Sequence, residues 1–213
     1  SRMPGMKRPH REMTDEDIEA IISDFARAAV RAREAGFDAV QLHGAHGYLM
    51  SQFLSPIFNR RTDRWGGSAG NRRRFHIEVV RRVRQALGKD FPLMIKYGIQ
   101  DDRQGGLSFE EGLETARLMA DEGIDAIEIS TGVGAPVPVM KENEFERAFF
   151  RERAAAAKRA LSVPVILVGG IRSLEMSQNI VDSGDADFLA LCRPLIREPD
   201  LISRWQRGET GPA

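Results

Sequence analysis

Five short apolar runs punctuate the chain, near 38–43, 92–97, 125–130, 164–168 and 187–191. Runs this short and this continuous predict strands of a parallel sheet, where helices cover the faces. Between them, apolar residues return at helical spacing over about 14–35, 71–88, 108–122, 146–161, 173–183 and 198–207. Thr14 stands where the first helix needs an N-cap, followed by acidic residues at 15–17 that suit the helix dipole. Ser108 and Ser173 are two further N-caps, and Glu111 three residues after Ser108 completes a capping box.

Three segments echo one another: "REAGFDAVQLH", "ADEGIDAIEIS" and "VDSGDADFLAL". In each, a helical pattern closes at a glycine (Gly36, Gly123, Gly184), the residue best suited to the left-handed turn that stops a helix. An aspartate follows (Asp38, Asp125, and Asp185 or Asp187), then the apolar run. Helix, glycine, aspartate, strand is the αβ connection of a parallel α/β protein. Right-handed crossovers allow one sheet curling in a single direction or an open doubly wound sheet. A closed (β/α)8 barrel needs eight strands and typically ~250 residues, so five strands fall short. The expected organisation is one domain over 1–213, with an irregular segment at 1–13.

A formal net charge of zero argues against nucleic-acid or membrane-surface binding, which leaves a basic footprint. No apolar run approaches the roughly 20 residues of a membrane span, and the first residues lack the apolar core of an export signal. The one cysteine, Cys192, has no internal disulfide partner, so a cytoplasmic setting is expected.

Chemistry in parallel α/β proteins gathers at the carboxyl ends of strands. The first such end carries "VQLHGAHGYL", which holds two of the four histidines, His43 and His46, and one of the two tyrosines, Tyr48. Lys96 closes the second strand, and Ser130 and Thr131 close the third. Gly169, Gly170 and Arg172 follow the fourth strand, and Cys192 and Arg193 the fifth. "VGGI" ahead of a helix offers backbone N–H groups to an anion, and Arg193 adds a guanidinium for bidentate contact with a phosphate.

Taken with "NRRTDRWGGSAGNRRRF", "VGGIRS" and "ALCRPLIREPDL", the stretch "LHGAHGYLMSQFLSP" resembles the old yellow enzyme family of FMN-dependent, NAD(P)H-linked oxidoreductases. The spacing of Asn59, Arg61, Asp63, Gly66, Gly67, Ser68, Asn71, Arg72 and Phe75 is its most specific part. The resemblance runs from about Pro9 to Leu201 and implies a partial TIM (β/α)8 barrel, strands four to eight of the family's eight. It further implies an ene-reductase reaction on activated alkenes. The residues matching His43 and His46 bind a carbonyl or nitro oxygen of the substrate. The tyrosine matching Tyr48 protonates the α-carbon, and the basic residue matching Lys96 faces the pyrimidine edge of the flavin. Gly169, Gly170, Cys192 and Arg193 match the phosphate cradle of FMN. No metal is implied. Lys96 stands where arginine is the commoner family choice, and the family's first three strands, with their flavin contacts, have no counterpart here.

Simpler readings stand beside these. His-x-x-His resembles a metal pair but has no third ligand nearby. Tyr48 and Cys192 have packing roles open to them, and Lys96 a structural ion pair with Asp101 or Asp102. The arginine-rich stretch after Asn59 reads as architecture bracing the loop that carries Tyr48, and "RRFHIEVVRRVRQ" as a solvated outer helix. For the whole chain, the alternative is a non-catalytic partial barrel that keeps a phosphate-binding edge. Either way, partner strands from an N-terminal half-barrel, or a second copy, are expected at the open edges.

Overall fold

A computed structural model of the chain describes residues 11–134 and 148–211. Five parallel strands, β1 (Val40–Gly44), β2 (Leu93–Gly98), β3 (Ala126–Ser130), β4 (Val165–Val168) and β5 (Phe188–Ala190), lie in the order β1-β2-β3-β4-β5. Strand order that follows chain order has no reversal point, which sets aside the doubly wound alternative and leaves the curled, barrel-type sheet. The helices are α1 (Asp15–Glu34), α2 (Leu49–Leu54), α3 (Ala69–Leu87), α4 (Phe109–Asp121), α5 (Arg151–Lys158), α6 (Leu174–Asp182), α7 (Arg193–Arg197) and α8 (Leu201–Gln206). Of the helix expected over 146–161, the first two residues lie outside the described residues, as do 1–10 of the N-terminal segment. Two short helices, α2 and α7, are additions to the sequence reading. Each has too few turns for a 3.6-residue period to show.

The expected caps are in place. Thr14 and Asp17 form a reciprocal capping box on α1, and the Ser108 and Ser173 hydroxyls accept from the backbone N–H groups of Glu111 and Met176. The capping box expected at Ser108 is only half formed, because the Glu111 carboxylate pairs with Arg72 instead of reaching back to the cap. The aspartates that open the strands have a shared structural job. Asp125 accepts the first N–H of β2, from Leu93, at 2.7 Å, and Asp187 accepts that of β4, from Val165, at 2.9 Å. Each thereby satisfies a strand-end donor on a neighbouring strand. Asp38, in the equivalent position ahead of β1, has no such strand beside it among the described residues.

The sheet has two unlike faces. Leu42, Leu93, Ile95, Tyr97, Ile127, Ile129, Val165 and Leu167 point to the helices and are buried. They pack with Ile18 and Ile22 of α1, Val80 and Val83 of α3 and Met119 of α4. Alternate positions turn to the inner face: Gln41 and His43 on β1, Lys96 on β2, Glu128 on β3, Ile166 on β4 and Phe188 on β5. The inner face carries the polar residues, so it is where a site is built. The basic run of α3 is occupied on the outer surface. Arg73 pairs with Glu114, Arg81 with Glu78 and Glu122, and Arg84 with Asp125.

His76, on α3, is fully buried, with no hydrogen bond to either ring nitrogen. It lies edge-on to Phe75 and Tyr97, at centroid distances of 6.5 and 6.0 Å. Burial pushes its pKa from 6.5 down to about 3. The folded protein therefore rejects a proton that the unfolded chain accepts, and only below about pH 6.5. Stability should be flat above that pH with respect to this group and fall below it by ~1.4 kcal/mol per unit, or about 2 kcal/mol by pH 5. His76→Leu should remove that acid-side loss and, by deleting unsatisfied polar atoms, add roughly 1–3 kcal/mol at neutral pH. Urea unfolding of both proteins at about pH 7 and pH 5 measures it. Parallel pH profiles would contradict the assignment.

Candidate active site

The three aromatic side chains at the end of the first strand and in the loop after it converge. His43 lies 5.3 Å, centroid to centroid, from both His46 and Tyr48, with tilted rings. His43 is fixed by β1 itself, in register with Lys96 on β2, which is in register with Glu128 on β3. His46 is placed by an unusual backbone. Its φ of 62° is the only positive value at a non-glycine among the described residues. Such a conformation costs on the order of 1–3 kcal/mol and persists where surrounding contacts hold it. Here the His46 N–H donates to the Thr131 carbonyl at 3.0 Å, and its Nε2 shares a 2.8 Å hydrogen bond with Ser130 Oγ.

That reach from the β1 loop to the end of β3 passes over β2 and needs room there. Gly98 supplies it. A Cβ at this position would fall 2.5 Å from Gly132 Cα and 2.6 Å from the Thr131 oxygen. Thr131 is itself held by Asp102, which pairs with Arg153 of α5. Asp101 ties together three other segments: it accepts from Ser55 after α2, from Leu107 N–H at 2.9 Å and from Val133 N–H at 2.6 Å.

Tyr48 is the N-cap of α2 and largely exposed. The arginine-rich segment fastens the far end of that helix. Asn59 Nδ2 donates to the Phe53 and Trp65 carbonyls at 2.6 and 2.7 Å, and Arg72 Nε to the Leu54 carbonyl at 3.0 Å. The last carbonyls of a helix lack intrahelical partners, and these two side chains provide them. Arg61 donates to the Met13 carbonyl at 2.8 Å and pairs with Asp63, while the buried Trp65 donates its indole N–H to Asp15. Arg61, Arg64 and Arg72 of this segment make structural contacts, as its composition suggested.

Lys96 differs from the simpler expectation. Its ammonium pairs with Glu128, not with Asp101 or Asp102, whose carboxylates are committed to the loop contacts above. Gln41 Nε2 donates to the other Glu128 oxygen at 2.9 Å. Sequence reasoning missed both Glu128 and Gln41. A readable signal existed, because a charged residue in the middle of "AIEIS" must be paired if the strand is buried. Both imidazoles titrate below the ordinary histidine value. Desolvation against the sheet is the largest cause for each, followed by the positive charge of Lys96; Glu128 opposes the shift. Both shifts favour the uncharged ring, which carries one N–H.

At the other side of the mouth, Gly169 and Gly170 follow β4 with successive left-handed φ values of 99° and 74°. Cys192 and Arg193 follow β5, the strand paired with β4 through Val168 and Ala190. Among the described residues, the Arg193 side chain has no carboxylate partner, and the backbone N–H groups of Gly170 and Cys192 have no acceptor. Free amides at Gly170 and Cys192, at the ends of two paired strands, with a guanidinium at Arg193 on the second of them, form a donor set of the kind that receives a phosphate. The residues present therefore fit the anionic end of a flavin nucleotide.

Comparison with known proteins places the chain in a family. A family model described as "NADH:flavin oxidoreductase / NADH oxidase family" matches residues 4–210. An NADH oxidase of Thermoanaerobacter brockii is 40% identical over 199 residues, covering 93% of this chain and 31% of that protein. The solved structure of 2-naphthoyl-CoA reductase with 2-naphthoyl-CoA superposes with a TM-score of 0.88 at 32% identity, over 96% of this chain and 32% of that one. An old yellow enzyme homologue from Zymomonas mobilis gives 0.75 at 26% identity, over 97% of this chain and 57% of that one. The chain thus spans between about a third and three-fifths of the length of these relatives.

Proposed function

The chain belongs to the NADH:flavin oxidoreductase / NADH oxidase family, and from that premise we propose that it forms the substrate-binding and phosphate-binding side of an FMN-dependent, NAD(P)H-linked reductase of activated alkenes. The observation that carries this reading is the convergence of His43, His46 and Tyr48, with His43 in register with Lys96 on the inner face. FMN, when bound, would supply the hydride. Gly169, Gly170, the Cys192 N–H and Arg193 would hold its phosphate, and Lys96 its pyrimidine edge.

This chain's own residues do the rest. Two neutral imidazoles offer N–H donors to a carbonyl or nitro oxygen, where negative charge develops as the alkene is reduced. Tyr48, beside His43 and open to the mouth, delivers its phenolic proton to the α-carbon as a general acid. The inner face below is apolar on the β4 and β5 side, through Ile166 and Phe188, which suits a flat ring.

Neither β1 nor β5 has an outer neighbour among the described residues, and Phe188 is 58% exposed. Asp38 repeats the position from which Asp125 and Asp187 each accept an N–H of the preceding strand. An edge so equipped suits a further parallel strand beside β1, from an N-terminal half-barrel or from another copy. The 213-residue chain by itself should therefore self-associate and take up FMN weakly, while a protein that also carries the preceding strands should purify with flavin absorbance and oxidise NAD(P)H with an enone acceptor. Light scattering, flavin titration and turnover decide both parts. A 23.8 kDa monomer that binds FMN tightly would overturn the partner requirement. A completed protein without flavin would overturn the function.

A further inference from the structure

Glu128 stands in the middle of the central strand, only 6% exposed, with both carboxylate oxygens engaged by side chains from the adjacent β2 and from β1 beyond it. Oε1 takes the Lys96 ammonium and Oε2 the Gln41 amide. A carboxylate this deep without a partner would be strongly destabilising. Equally, a lysine held this way is not a free cation. Among the described residues, the charged and titratable groups facing this layer are few, and Tyr48 lies beside them against His43. β1 and its loop contribute Gln41, His43 and His46; β2 contributes Lys96; β3 contributes Glu128 and Ser130. β4 and β5 contribute the apolar Ile166 and Phe188.

We infer that Glu128 is the counter-ion that sets how much positive charge Lys96 presents to the histidine pair and to a bound flavin, a positioning residue that works through Lys96. The inference rests on the proposed flavin-facing role of Lys96 and deepens it. Lys96 and Glu128 act on both imidazoles with opposite sign, so the ion pair exposes the rings to a small net field. Without the carboxylate, the full ammonium charge would reach the rings and would favour an electron-rich flavin over an oxidised one. With it, Lys96 is aimed by a fixed acceptor instead of swinging on a flexible stem.

Three variants test this. Glu128→Gln keeps the shape and removes the charge. The His43 and His46 ring titrations, followed by NMR, should move to lower pH, and the ratio of reduced to oxidised flavin at fixed poise should rise about tenfold or more, ~30 mV for a two-electron couple. Glu128→Asp, which keeps a carboxylate, should lie nearer to wild type in both measurements. Lys96→Met with Glu128→Gln removes the pair as a unit, and its histidine titrations should return close to wild type.

Unmoved titrations in Glu128→Gln overturn the inference, as does a double variant shifted as far as the single one. Should Glu128→Gln fail to fold, Lys96→Met is compared with the double variant. The rings should titrate higher when Glu128 remains, and equal values overturn the inference. The histidine titrations need no flavin. A protein that takes up none would therefore defeat the proposed function while leaving this question answerable.

Discussion

Tyr48→Phe is expected to slow alkene reduction roughly 10²–10⁴-fold, the range for loss of a positioned general acid, while leaving ligand binding near normal. The change removes one oxygen from a side chain that sits mostly in solvent at the start of α2. Its hydroxyl has no structural partner among the described residues, so the fold should not notice. The ring itself, packed beside His43, remains. Quinone acceptors receive their protons on oxygen, which water supplies readily, so their reduction should change far less. Rapid-mixing measurement of the oxidative half-reaction with an enone and with a quinone separates the two roles. Equal slowing of both would make Tyr48 a packing residue.

The second large effect concerns the histidines together. His43→Ala with His46→Ala should cost on the order of 3 kcal/mol or more in enone reduction, because two donors to a developing oxyanion disappear at once. Phenolic and enone ligands should bind more weakly, whereas flavin reduction by nicotinamide should survive. The single His46→Ala change carries an added structural element. His46 pays for a left-handed backbone with its contacts to Thr131 and Ser130, and alanine keeps the first contact but not the second. Desolvation, and after it the charge of Lys96, shifts both rings below the ordinary histidine value, so the uncharged N–H donors are favoured over an imidazolium. Wild-type enone turnover by the double variant would remove the role assigned to the pair.

Much of the architecture was legible in the chain because its signals are local. A serine or threonine three residues before a matching N–H caps a helix wherever the helix goes, and Thr14, Ser108 and Ser173 do so. Glycines with φ of 87°, 102° and 72° stop helices at Gly36, Gly123 and Gly184 as expected. The five strands fall within two residues of the apolar runs that announced them. Candidate residues at the strand ends were legible for the same reason, since a parallel sheet delivers the residue after each strand to one common rim. His43, Tyr48, Gly169 and Arg193 were found that way.

What only the tertiary structure decided lies across strands. Residues Lys96 and Glu128 are 32 apart in sequence, and Gln41 and Glu128 are 87 apart. Nothing local distinguishes Glu128 from the nearer Asp101 and Asp102 as the partner of Lys96. Register decides it: His43, Lys96 and Glu128 share one layer because β1, β2 and β3 pair in parallel at matching positions. The strand order, which separates a curled sheet from a doubly wound one, is likewise invisible to periodicity. The bend at His46 depends on a carbonyl 85 positions later, made reachable by a missing side chain at Gly98. Sequence by itself determined which segments become helix and strand, and which rim receives the candidate residues, because backbone sterics and side-chain alternation act over a few residues. The pairing of charges and the aiming of the rings waited for packing, because electrostatic and steric partners are chosen by distance in space and not by distance along the chain.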